Sequence, residues 1–288
     1  GHLFLNGKKP IQYRSSYGLG EVIKAALDNH TEHLVISLGG IGSFDGGAGM
    51  LQALGATFYD DEAQIVDMRK GADLIKYIRR IDLSGVHPQL TKVNIQLMSD
   101  FSSRLYGKKS EIMQTYESLD LSQNEAAEID NLIWYFSELF KNELKIAMGP
   151  IERGGAGSGI AAVLNSLYQA EILTSHELVN QITHLENLIQ QADLIIFGEG
   201  LKEEDQILET TTIRIAELTQ QYSKPAIAIC ATNDKFDLFE SLNVTAMFNT
   251  FIDMPDSYTD FKMGIQIRHY TVQALKLLKT QINLPLSS

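Results

Sequence analysis

The feature that most constrains this chain is where its glycines fall: they cluster after short apolar runs and before amphipathic stretches. Leu34-Val35-Ile36-Ser37-Leu38 reads as a buried strand. It runs into Gly39-Gly40-Ile41-Gly42-Ser43-Phe44-Asp45-Gly46-Gly47, and a helix follows through Met50, Leu51 and Leu54. A second cluster, Arg153-Gly154-Gly155-Ala156-Gly157-Ser158-Gly159, enters an Ala-rich helix, and a third, Gly198-Glu199-Gly200, ends the apolar run 194–197. Strand, glycine loop and helix in that order predict an α/β fold built on a mainly parallel sheet. Loops at the C-terminal ends of such strands are where these proteins bind ligands.

Other segments fit the same plan. Residues 93–98 and 226–230 predict strands, the first ending near Asp100. Ser15 or Ser16 is placed to cap a helix over 20–27 that turns Val22, Ile23, Ala26 and Leu27 to one face. Ser122-Gln123-Asn124-Glu125 and Thr174-Ser175-His176-Glu177 have the spacing of capping boxes, and an amphipathic helix over 260–278 closes the chain. The helix from Ser122 carries Trp134, Tyr135, Phe136 and Phe140, aromatics that serve either the core or a homodimer contact.

At 288 residues the chain can bury a large core as one domain or two. It has no apolar run long enough to span a bilayer and no secretory signal. A single cysteine, Cys230, rules out an internal disulfide framework and suits a cytoplasmic setting. Gly1 and His2, without an initiator Met, read as a cloning remnant or a lead-in. The net charge of −12 disfavours nucleic acid, whose phosphates need a basic surface. Small anions are a different case, because backbone amides at helix N-termini hold them whatever the global charge.

Glycine suits a phosphate site because it lets several N–H groups converge on an anion at close range. Each loop alone also fits an ordinary tight turn. None has the Gly-Lys-Ser/Thr of a Walker A loop, and 155–159 has its third glycine one residue early for a dinucleotide fingerprint. Four carboxylates, Asp45, Asp100, Glu199 and Glu203, fall at the predicted strand ends, where phosphoryl transfer needs acids to hold Mg²⁺ or to orient an acceptor hydroxyl.

The order of these motifs resembles the type I glycerate kinase family. Ser16-Tyr17-Gly18-Leu19-Gly20-Glu21, the unbroken stretch 45–56 (DGGAGMLQALGA) and Ile81-Asp82-Leu83-Ser84-Gly85 carry the likeness. Leu105-Tyr106-Gly107, Gly159-Ile160-Ala161-Ala162, Gly198-Glu199-Gly200 and 225–229 continue it in the same order, from about residue 15 to 278. The resemblance implies two α/β domains with mainly parallel, Rossmann-like sheets and a ligand cleft between them. On that reading 1–14 is a lead-in, 15–150 a substrate-side domain and 151–288 a Rossmann-like domain that lacks the family's N-terminal strands.

The resemblance further implies ATP and Mg²⁺ as cofactors and glycerate, or a similar small hydroxy acid, as phosphoryl acceptor. Asp45 would orient or activate the hydroxyl. Gly39, Gly40, Ser43, Gly46, Gly47, Gly155, Gly157, Gly159, Gly198 and Gly200 would cradle substrate and phosphate, and Asp100, Glu199 and Glu203 would hold the metal. The chain departs from the family at Ile41 and Phe44, where polar side chains are expected, and at Ser102, Ser103 and Arg104 after Asp100. Leu201 replaces the family's Arg, and the family's Gly-Pro-Gln-Lys-Gly loop has no counterpart over 112–125. Two functional expectations follow: a kinase, or a homologue that keeps the ligand site and has lost turnover.

Overall fold

A computed structural model describes residues 10–40, 42–199, 211–231, 236–250 and 260–281. The chain divides into two compact units, Gly1–Ser175 and His176–Ser288. Ile41, Gly200, Leu201 and Glu203 lie outside the described residues.

In the first unit, helix α1 (Tyr17–Asp28) leads to strand β1 (His33–Ser37), and the glycine loop after it enters α2 (Ala48–Ala53). A small antiparallel pair follows, β2 (Thr57–Tyr59) with β3 (Arg80–Asp82). Then come β4 (Asn94–Met98), α3 (Glu111–Thr115), α4 (Gln123–Leu139), α5 (Ile160–Tyr168) and β5 (Glu171–Leu173). The main sheet has the order β1-β4-β5 and is parallel throughout, with Ile36 opposite Leu97 and Leu97 opposite Ile172. The loops after β1 and β4 therefore leave the same edge of the sheet side by side.

The capping box at Ser122 forms as its spacing predicts. Ser122 Oγ accepts from the Glu125 amide, and the Glu125 carboxylate accepts from the Ser122 amide. Phe136 and Phe140 of the same helical run are fully buried, and Phe136 meets both Phe58 and Phe140 edge-on, whereas Trp134 is half exposed. Ile23, Met50, Leu51, Leu97, Ile160 and Val163 join these rings in one core.

The second unit contains α6 (Ser175–Thr183, beginning at the boundary), α7 (Leu185–Gln191), β6 (Ile195–Glu199), α8 (Thr211–Gln221), β7 (Ala226–Cys230), α9 (Phe236–Ser241), β8 (Ala246–Asn249) and α10 (Asp260–Gln281). Its sheet is also parallel, in the order β6-β7-β8. All five residues of β7 are buried, as expected of a central strand covered on both faces. Phe197 and Phe239 meet edge-on in its core. No helix among the described residues is long and apolar enough to cross a membrane.

Candidate anion-binding loops and their carboxylate anchor

Asp45 ends up inside the protein, 1% exposed, at the entry to α2. Its Oδ2 accepts from the Ser16 amide at 2.8 Å, Ser16 Oγ at 3.0 Å, the Gly49 amide at 3.2 Å and Ser15 Oγ at 3.3 Å. Its Oδ1 accepts from the Gly47 amide at 3.2 Å. Burial pushes the Asp45 carboxyl up from its ordinary range, and the hydrogen bonds from Ser16, Gly49 and Gly47 pull it back down. The carboxylate thus ties the start of α1 to the first turn of α2. Gly46 and Gly47 take the left-handed backbone that this turn needs, at φ +63° and +79°. The expected serine cap of α1 is spent differently. Ser16 Oγ turns to Asp45 and accepts the Met50 amide, while Ser15 Oγ accepts the Tyr17 amide.

Three segments meet at this sheet edge: the loop after β1, the loop after β4 and the glycine loop ahead of α5. The Gly155 amide donates to the Ser103 carbonyl at 3.2 Å. A methyl group on Gly157 would lie 3.1 Å from Leu38, and one on Gly159 would lie 3.0 Å from Gly46 and 2.9 Å from Leu105. The structure therefore brings Gly46, Gly47, Gly155, Gly157 and Gly159 together. Gly39 and Gly40 are exposed nearby in chain, and Ser43 is buried.

Phe44 does not stand as an apolar side chain in a ligand pocket. It is buried among Ile11, Ile112, Ala126 and Ile129, so its replacement of a polar residue serves packing against α3 and α4. Asp100 is partly buried after β4 and accepts the Ser175 amide at 2.6 Å, close to the first turn of α6. In the second unit, Gly198 and Glu199 complete β6, and the Glu199 carboxylate accepts from Thr212 Oγ1 at the start of α8. No group of three His, Cys, Asp or Glu side chains arranged for a metal occurs among the described residues. Asp100 belongs to the first unit and Glu199 to the second, and each accepts a hydrogen bond from its own surroundings.

Two features here were not legible in the sequence. Glu111, at the start of α3, accepts the Ser158 amide at 2.8 Å. Ser103 and Ser158 bury hydroxyls that have no hydrogen-bond partner. Ser158 lay in a visible Gly-Ser-Gly triplet, but nothing local to Glu111 marks it out.

Comparison with known proteins bears on what this arrangement belongs to. The Glycerate kinase family profile matches residues 2–266. The chain is 30% identical to a glycerate kinase of Halalkalibacterium halodurans over 231 residues, covering 80% of this chain and 60% of that protein. It is 29% identical to glycerate 2-kinase of Escherichia coli K12, covering 82% and 61%. The chain thus spans about 60% of the length of these curated relatives. A Salmonella typhimurium LT2 structure described as a glycerate kinase 2 superposes with a TM-score of 0.78 at 26% identity, over 98% of this chain and 74% of that one. The family match and the superposition each run along nearly the whole of this chain: this chain belongs to the glycerate kinase family.

Proposed function

We propose that the protein is an ATP-dependent kinase that phosphorylates a hydroxyl of glycerate or a similar small hydroxy acid. The observation that carries this reading is the meeting of three loops at one edge of the β1-β4-β5 sheet in a member of this family. Their buried glycines let the backbones of these loops pack closely, a setting that suits the carboxylate of a hydroxy acid or a phosphoryl group.

In this account Asp45 is a positioning residue. A base must reach the proton it takes, and both Asp45 oxygens already meet donors from the chain. Its work is to hold the Ser15–Ser16 turn and the loop at 46–49 in register. Loops 39–47 and 155–159 bind the acidic substrate and the transferred phosphate, and 198–200 contributes on the nucleotide side. When bound, ATP supplies the phosphoryl group and Mg²⁺ neutralises charge on its phosphates; Asp100, Glu199 and Glu203 are the carboxylates we assign to that ion. A cytosolic setting fits a chain whose single cysteine, Cys230, is buried.

The test is ADP release from Mg-ATP with and without D-glycerate. Glycerate-dependent release supports the proposal. Folded protein that binds glycerate or nucleotide but releases no ADP contradicts it, and favours a binding role for the site.

A further inference from the structure

The glycine loop ahead of α5 has an unusual backbone. Gly157, Ser158 and Gly159 are all left-handed, at φ +61°, +54° and +103°. Left-handed residues occur singly as a rule, and for serine the conformation is costly. A run of three therefore needs a hold from outside the loop. Glu111 supplies it. Its carboxylate accepts the Ser158 amide at 2.8 Å, and the Gly157 amide donates to it as well. Glu111 is itself fixed at the start of α3. Ser110 caps that helix by accepting the Met113 amide, and Ile112 packs with Phe44, Ala126 and Ile129. Asp130 of α4 accepts the Gly107 amide at 2.8 Å and the Ser110 hydroxyl, which sets the chain leading into α3.

The other glycine loop is built the same way. Gly46 and Gly47 are left-handed, and Asp45 accepts the Gly47 and Gly49 amides. The two turns touch, since a methyl group on Gly159 would lie 3.0 Å from Gly46. Each of these loops thus has a carboxylate behind its amides. The two carboxylates differ in their other partners. Asp45 also takes the hydroxyls of Ser15 and Ser16, whereas burial and two amides alone act on Glu111, and burial pushes its carboxyl up to about 7. Of the charged groups on neighbouring elements, Arg104, Lys108, Lys109 and Glu128 are exposed. Asp130 serves Gly107 and Ser110, and Arg153 is partly buried; none of them bears on the Glu111 proton.

We propose that Glu111 is a positioning residue for the glycine loop ahead of α5: its ionised carboxylate sets the backbone at 157–159, and protonation slackens it. A neutral carboxyl is a weaker acceptor for main-chain amides than a carboxylate, so the strained turn loses part of its hold when the proton goes on. That the loop so held serves phosphate and an acidic substrate rests on the kinase reading above; the hold itself does not.

The experiment follows wild type and Glu111→Gln by NMR and by kinetics on both sides of neutral pH. In wild type the Gly157 and Ser158 amide resonances should titrate together with the Glu111 carboxyl carbon, with a midpoint of about 7. In Glu111→Gln both amides should stay put. Amides that do not titrate in wild type, or that titrate equally in Glu111→Gln, overturn the proposal. The wild-type titration is read without a variant, so it decides even where Glu111→Gln does not fold. In the kinase assay, kcat/KM for D-glycerate in wild type should fall on the acid side of that midpoint. Glu111→Gln should lack that acid limb and be slower by about tenfold or more on the alkaline side, while melting no lower than wild type there. A merely structural role would lower both together. An active wild type matched by Glu111→Gln on the alkaline side refutes positioning. Amides that titrate in a chain releasing no ADP sink the kinase reading and keep Glu111 as the residue that sets the loop.

Discussion

Ser16 Oγ stands between Asp45 and α2, donating to Asp45 Oδ2 at 3.0 Å and accepting the Met50 amide at 2.8 Å. One hydroxyl thus closes a circuit through two helices and the glycine turn between them. Ser16→Ala leaves the Met50 amide without that acceptor and removes one donor from a buried carboxylate. The expected loss is about 1–3 kcal/mol, read from urea unfolding of both proteins. An unchanged unfolding midpoint would show that the circuit does not hold the two helices together.

Removing the carboxylate should cost more. Asp45→Ala strands the Ser16, Gly47 and Gly49 amides in a buried place, and we expect a loss of about 3–5 kcal/mol. Asp45→Asn keeps the shape but points an N–H₂ at donors, so it should fall between wild type and Asp45→Ala. Circular dichroism melts of the three proteins give the order. Asp45→Asn that melts with wild type would point away from an anchoring role and back towards a chemical one.

Gly20 is where α1 crosses α2. A methyl group there would sit 2.4 Å from the Met50 carbonyl oxygen and 2.7 Å from Ala53 Cβ. Gly20→Ala should therefore destabilise the first unit by about 1–3 kcal/mol, although alanine is the better helix former. At Gly18 nothing lies within 4 Å of such a methyl, so Gly18→Ala should be neutral or mildly stabilising. Side-by-side melting separates crowding from helix propensity.

Burial pushes the Glu111 carboxyl up to about 7 from an ordinary 4.5, outweighing the two amide hydrogen bonds that lower it. Between these values the folded chain holds a proton that the unfolded chain has released. The contribution of Glu111 to stability is thus greatest below about 4.5 and is lost as pH rises to about 7. Subtracting the stability–pH curve of Glu111→Gln from that of wild type isolates this term. The difference should fall across that window and be flat above it, and a difference that is flat throughout would rule it out.

What could be read from the residues was set by local chemistry. The strand at Ala226–Cys230 and the Ser122 capping box declare themselves within a few residues, and both form as expected. Thr57–Tyr59, Arg80–Asp82 and Glu171–Leu173 are too short to show a period, and their strand character comes from partners elsewhere in the chain. Phe44 resembled a lost ligand contact because its burial depends on Ile112, Ala126 and Ile129, nearly 70 residues away or more. Ser16 was legible as a cap by spacing, but tertiary structure offered its hydroxyl better partners in Asp45 and Met50. Glu111 carries no local sign at all, because its role exists only where α3 passes over the glycine loop.

The most direct test of the central claim is phosphorus NMR of the protein incubated with Mg-ATP and D-glycerate. The account predicts a new phosphomonoester resonance that grows as the γ-phosphate signal of ATP falls, and that is absent without glycerate. ATP that stays intact, or decays only to inorganic phosphate at the same rate with and without glycerate, would contradict it.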